Sequence, residues 1–173
     1  MFKRLIVLLA LVFAYTRLHA QAIPTASRTG ILQLGGGVVS ADSGTSSDRF
    51  KGIFLFADLD VTQHLGAEFE LRQVNTPSDD HVYERTYELG VRYHRTYGRL
   101  EPYGKLMVGR GVFNYSHDAA NLAYNLYAAG AGADIRLTRH VNARAEYEYQ
   151  HWVNFDPGPL SSSVIELGAA YRF

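Results

Sequence analysis

Apolar and polar side chains alternate with a period of two along most of the chain, the spacing of strands with two unlike faces. Ser163, Ile165, Leu167, Ala169, Tyr171 and Phe173 fall on one face of the last segment, and Val164, Glu166, Gly168, Ala170 and Arg172 on the other. Just before it, Val141, Ala143, Ala145, Tyr147, Tyr149 and Val153 oppose Asn142, Arg144, Glu146, Glu148, Gln150 and Trp152. Three earlier segments behave alike. Tyr87, Leu89, Val91 and Tyr93 oppose Glu88, Gly90, Arg92 and His94; Leu65, Ala67, Phe69 and Leu71 oppose Gly66, Glu68, Glu70 and Arg72; Ile53, Leu55, Ala57, Leu59 and Val61 oppose Phe54, Phe56, Asp58 and Asp60. Thr29–Ala41, Leu100–Asn114 and Leu122–Leu137 read as strands with less distinct faces. In the last of these, Ala129, Ala131, Ala133, Ile135 and Leu137 face away from Gly130, Gly132, Asp134 and Arg136.

Eight strands of about ten residues or more result, the length that crosses a membrane at a tilt. Gln63-His64, Gly98-Arg99 and Arg139-His140 mark tight turns, whereas Asp42–Arg49, Asn75–Glu84, Ser116–Asn121 and Asp156–Ser162 read as longer polar links. Short turns therefore alternate with long loops, and both termini fall on the short-turn side. The chain also echoes itself. Asp58-Leu-Asp-Val-Thr62-Gln-His64-Leu-Gly-Ala67 matches Asp134-Ile-Arg-Leu-Thr138-Arg-His140-Val-Asn-Ala143 at an offset of 76 residues, which supports four strands per half.

Every strand has an apolar face, and no helix-patterned segment is present to cover it. A soluble sandwich would pack two such faces together, but its strands usually run about five or six residues. Tyrosines near the ends of the apolar faces fit interfacial girdles instead. In lipid the backbone must satisfy its own hydrogen bonds, so the sheet must close. The fold expected is an all-β, closed, eight-stranded antiparallel up-and-down transmembrane β-barrel. Closure confines Glu68, Glu70, Arg72, Glu88, Arg92, Asp134, Arg136, Arg144, Glu146, Glu148, Glu166 and Arg172 within a lumen just wide enough for side chains. Both signs are present, so a paired network that plugs the barrel is expected. Lys105 and Arg110 lie on opposite faces of the fifth strand; Lys105 is expected inside, Arg110 outside near the extracellular edge.

The first residues depart from this pattern. Lys3 and Arg4 precede an uncharged apolar run from Leu5 to Tyr15 and small residues at Ala20 and Ala22. That is the layout of a secretory signal peptide over residues 1–20, cleaved after Ala20 or Ala22, ahead of a barrel domain at 21–173. The run is too short to span a bilayer as a helix, which takes roughly 20 residues. Removing residues 1–20 leaves 14 basic residues against 17 acidic ones, and no basic run that would mark a nucleic-acid surface. The absence of cysteine excludes disulfides, a thiol nucleophile and a Cys-ligated zinc site.

The Thr-Gln-His-Leu-Gly turn at 62–66, the Glu146-Tyr-Glu-Tyr-Gln150 strand and the ending Leu167-Gly-Ala-Ala-Tyr-Arg-Phe173 resemble those of the small outer-membrane barrel family of OmpX, the OmpA membrane domain and opacity-type proteins. The resemblance implies a bacterial outer-membrane address with periplasmic termini, and lipid and lipopolysaccharide as surroundings. It also implies that Tyr171 and Phe173 are read by the barrel-assembly machinery. Roles within the family differ, and fold does not choose among them. The expected role is structural or surface-interacting, adhesion or envelope integrity, as a monomer whose extracellular loops meet a cell-surface ligand. A narrow channel for small solutes and a lipid A-modifying enzyme are the alternatives.

Dedicated chemistry is sparse. His64, His94 and His140 sit at or near tight turns; His81, beside Asp79 and Asp80, and His117, beside Asp118, fall in outer loops. No ligand spacing recurs, so no metal or cofactor is expected. A lipid-face deacylase would resemble a His-x-Ser-Asn pattern, and neither Ser116-His117 nor His151-Trp-Val-Asn154 supplies it; adjacent strand residues point to opposite faces. Catalytic residues are therefore not expected. Gly35-Gly36-Gly37 lies within a strand and reads as close backbone approach, not a phosphate loop. Mass spectrometry of the membrane-extracted protein is expected to show an N-terminus at Gln21 or Ile23; a main species that retains Met1 would refute the processed topology.

Overall fold

The computed structural model describes residues 30–42, 49–76, 79–114, 121–153 and 160–173. Residues 1–29, which include the expected signal peptide, lie outside them, as do Ser116, His117, Asp118 and Asn154 and the side chain of His81. The strands are β1 (Ile31–Asp42), β2 (Phe50–Asp60), β3 (Leu65–Thr76), β4 (Asp79–His94), β5 (Leu100–Asn114), β6 (Asn121–Arg136), β7 (Val141–Val153) and β8 (Leu160–Arg172). Each pairs antiparallel with the next, and β8 pairs with β1 from Gln33↔Arg172 to Asp42↔Ser163, which closes the barrel. Closure leaves no edge whose amides and carbonyls lack ladder partners.

At one end the strands are joined by three tight turns. Tyr97 and Leu100 exchange both backbone hydrogen bonds, at 2.7 and 3.1 Å, around Gly98, whose φ of 63° lies in the left-handed region that glycine enters at little cost. The other two turns share one geometry. Thr62 Oγ1 accepts from the amides of His64 (3.2 Å) and Leu65 (2.9 Å), and Thr138 Oγ1 from those of His140 (3.2 Å) and Val141 (3.0 Å). The repeated sequence therefore builds a repeated turn.

At the loop end one expectation is corrected. Asn75–Glu84 reads as a loop, yet β3 runs to Thr76 and β4 begins at Asp79, with a register shift at Asn75/Thr76. Val74↔Glu84 and Asn75↔Tyr83 continue the ladder, and Arg85 donates to Gln73 Oε1 at 2.7 and 3.2 Å on the outer wall. Polar side chains there do not mark loss of backbone pairing: Thr76 and Glu84 are buried on the inner face. Leu160 likewise belongs to β8 and not to the preceding link.

The outer wall is apolar all round. Val38, Ile53, Leu55, Leu89, Val91, Leu106, Val108 and Leu167 are all exposed. A surface of that extent is stable only against something other than water. Tyr93, Tyr97, Tyr171 and Phe173 ring it at the short-turn end, and Tyr87, Tyr127 and Tyr149 nearer the loop end. The rings of Tyr171 and Phe173 meet edge to face at 4.9 Å, and His140 stacks on Tyr171.

Inside, the loop end is filled by apolar side chains. Phe50, Phe113, Leu126, Trp152 and Leu160 are buried there, and Phe50 meets Phe113 edge on at 6.4 Å. Large rings sit over glycines of other strands. A Cβ at Gly35 would fall 2.4 Å from the Phe56 ring, and one at Gly111 would fall 2.2 Å from the indole of Trp152. Gly35 of β1 and Gly168 of β8 are thus the floor for the Phe54–Phe56 stack. Gly111→Val is expected to destabilise the barrel by about 1–3 kcal/mol through overpacking. Gly111→Val combined with Trp152→Leu should recover part of that loss. Urea unfolding from lipid vesicles measures both, and an unaffected single variant would place the indole elsewhere.

Candidate functional site: an ion-pair network inside the barrel

Alternation turns a charged stripe of almost every strand inward, and four cations organise it. Lys105 Nζ lies 2.8 Å from Glu68, 2.7 Å from Glu70, 3.0 Å from Glu148 and within contact of Glu146. Arg72 reaches Glu166 at 2.7 Å, Glu148 at 3.0 Å, Glu88 at 3.3 Å, and its own strand neighbour Glu70. Arg144 holds Asp134 at 2.8 Å, Asp58, and Glu68 at 3.5 Å, and its guanidinium lies 3.7 Å from the centre of the Phe56 ring. Arg92 holds Asp134 at 2.6 Å and Asp58 at 3.2 Å, with the Tyr103 ring 4.1 Å away. Charged hydrogen bonds shared this widely are what allow ions to be withdrawn from water.

Glu68, Glu70, Arg72, Glu88, Arg92, Asp134, Arg144, Glu146, Glu148 and Glu166 thus meet in one network. Arg136 and Arg172 do not lie at its centre. Each ends its strand at the short-turn rim, where water reaches a long side chain. Arg136 is half-buried and makes no ion pair among the described residues; Arg172 is 3.8 Å from Glu101. Lys105 is buried in the lumen and Arg110 is exposed on the wall.

The network also enrols residues that the sequence reading left out of it: Asp58, Asp60, His94, Glu101, Tyr103 and Gln150. Counting back by two from Lys105 puts Tyr103 and Glu101 inside, so their burial was available from the phase of the strand. Acids outnumber bases. Eleven buried carboxylates among the described residues stand against Arg72, Arg92, Lys105 and Arg144. The excess must be met by shared protons, by rim cations or by bound cations.

Among the described residues, three clusters have the donors and spacing to hold a metal ion. Glu68, Glu70 and Glu146 already surround Lys105, and Glu70 and Glu148 of the second cluster are shared by Lys105 and Arg72. The third, Asp60, His94 and Glu101, lies at the short-turn mouth. On the outer wall, β7–β8 pairing brings His151 Nδ1 to 3.4 Å from Ser161 Oγ, a cross-strand pair that reading along one strand misses. No carboxylate among the described residues orients that imidazole.

The profile of the outer membrane protein beta-barrel domain family matches residues 5–173. The chain belongs to that family. As an outer-membrane barrel it is similar in structure to Neisserial surface protein A, with a TM-score of 0.62 at 14% identity over 84% of this chain and 97% of that one. It is also similar to OprG from Pseudomonas aeruginosa, with a TM-score of 0.61 at 15% identity over 84% and 96%. The attachment invasion locus protein Ail of Yersinia pestis gives 0.55 at 18% over 83% and 99%. No curated protein matches the sequence. At these identities the structural likenesses establish the barrel and nothing finer.

In an outer-membrane barrel so organised, Arg144→Met leaves Asp58 and Asp134 short of a buried partner. The expected loss is about 3–5 kcal/mol. Leu167→Ile, on the lipid-facing wall, should cost less than about 1.5 kcal/mol. Urea unfolding from vesicles separates the two, and equal losses would contradict a dry ionic lumen.

Proposed function

We propose that this protein is a closed structural and surface-interaction barrel of the bacterial outer membrane, with its loop end outside the cell and its termini in the periplasm. The observation that carries the reading is the double seal of the lumen. Phe50, Phe113, Leu126, Trp152 and Leu160 fill the loop end, and the network around Arg72, Lys105 and Arg144 fills the middle. An eight-stranded barrel filled at two levels has no room for a water column. Arg49, Lys51, Arg85 and Arg110 stand on the outer wall near the loop end. That is the level of the anionic groups of lipopolysaccharide, the lipid partner in this reading. Exposed Tyr171 and Phe173 serve the assembly machinery, and the barrel acts as a monomer. Ligand chemistry rests with the loop end, in keeping with a surface protein of Neisseria and an attachment protein of Yersinia among the structural neighbours.

Planar-bilayer recording tests the seal, with no steady conductance expected; reproducible single-channel steps would make a narrow solute channel the better reading. Two parallel measurements address the remaining roles. Replacing residues 43–48, 115–120 or 154–159 with short glycine-serine links should reduce cell-surface binding without loss of the folded barrel. Lipid A should have the same acyl pattern with and without the protein. A changed pattern that Ser161→Ala abolishes would instead establish the His151–Ser161 pair as catalytic.

A further inference from the structure

His94 stands between two carboxylates at the short-turn mouth. Its Nε2 is 3.3 Å from Asp60 Oδ1 and its Nδ1 is 3.3 Å from Glu101 Oε1. All three residues are almost fully buried. Neither contact has hydrogen-bond geometry. Both oxygens of Asp60, both ring nitrogens of His94 and Oε1 of Glu101 lack a hydrogen-bond partner among the described residues. Five orphaned polar atoms grouped around one imidazole are costly unless something else binds them.

Nearby cations do not fill that role. Arg92 comes no closer than 3.9 Å to Asp60 and 3.7 Å to Glu101, because Asp58 and Asp134 hold it at 3.2 and 2.6 Å. Arg172 is 3.8 Å from Glu101, on the oxygen that also accepts from Thr96 Oγ1 at 3.1 Å.

We propose that Asp60, His94 and Glu101 form a binding site for a first-row divalent transition metal such as zinc. His94 Nε2 and Asp60 are ligands, and Glu101 is the carboxylate that orients the imidazole. The spacing fits. Two donors about 2.0–2.1 Å from one tetrahedral ion lie about 3.3–3.4 Å apart, the separation of Nε2 from Asp60 Oδ1. A metal-bound imidazole usually gives its other N–H to a carboxylate that is itself held; Glu101 Oε1 stands 3.3 Å from Nδ1, within reach of such a bond, and Thr96 holds Glu101. An imidazole with carboxylates selects a transition metal over calcium or magnesium, which prefer oxygen alone. The remaining coordination positions open to water. Asp60 and His94 line a cleft of about 340 Å³ at the mouth, together with Thr62, Gln63, His64 and Thr96. The apolar layer closes the far end of the lumen, so the ion enters and leaves at the short-turn mouth.

The test uses the refolded barrel in detergent, stripped with a chelator and titrated with zinc against a chromogenic competitor. One zinc per barrel is expected. His94→Gln and Asp60→Asn should abolish binding. Glu101→Gln should weaken it on the order of 10-fold, the effect of removing a carboxylate behind a ligand. His140→Gln should leave it unchanged. Calcium should not compete. Nitrogen-15 spectra of histidine-labelled wild type are independent of whether any variant folds, and the Nε2 resonance of His94 should shift with zinc. Zinc binding that His64→Gln or His140→Gln abolishes, shifts confined to other histidines, undiminished binding in His94→Gln, or no binding at all would each overturn the site. An unchanged wild-type spectrum would likewise overturn the site and leave His94 packed between the two acids without a metal.

Discussion

The ten-pair ladder between β1 and β8 is the contact on which the rest of the molecule depends. Without it two strands present unpaired amides and carbonyls to hydrocarbon, where nothing else can satisfy them. With it the sheet has an inside and an outside, and the two-residue period of each strand becomes a radial sorting of side chains. The charge that would lie on the wet face of a soluble sheet is then trapped in a space with little water. Everything distinctive about the lumen follows from that confinement.

Confinement imposes two separate demands. Volume must be filled, and the barrel does so by opposing rings to glycines: Phe56 to Gly35, and Trp152 to Gly111. Charge must be compensated, and no acid–base pair does this alone. Arg72 and Lys105 each engage four carboxylates. A cation shared in this way couples strands across the lumen, because Arg72 of β3 reaches β4, β7 and β8. The network therefore ties together strands that share no ladder.

Alternation made the strands and their faces legible in the sequence, and with them the inward placement of Glu68, Arg72 and Arg144. It could not show where pairing stops. Asn75, Thr76, Tyr83 and Glu84 depart from the apolar period while keeping ladder partners, since period reports surroundings and not hydrogen bonds. The apolar layer at the loop end was hidden for a similar reason. Phe50 and Leu160 begin strands beside polar links, and Trp152 shares a face with Glu146 and Glu148. Asp60, His94 and Glu101 come from three strands. Only the successive registers of β2 on β3, β3 on β4 and β4 on β5 bring them together, and spacing along one chain carries no such information.

The 76-residue echo explains why the network has the hubs it has. β2–β3 and β6–β7 lie on opposite sides of an eight-stranded barrel, so corresponding residues of the two halves face one another. A faithful repeat would set like charges face to face. At two positions the halves have diverged to opposite sign, and the partners meet: Glu68 with Arg144 at 3.5 Å, and Arg72 with Glu148 at 3.0 Å. At two others both halves kept an acid, and a cation bridges them. Arg92 and Arg144 join Asp58 to Asp134, and Lys105, from a strand outside both hairpins, joins Glu70 to Glu146. The fifth position follows neither rule. Asp60 corresponds to Arg136, but Arg136, half-buried at the end of β6, makes no ion pair among the described residues. The mouth is thus the one level at which the two halves do not answer each other, and there the buried oxygens of Asp60 lack hydrogen-bond partners.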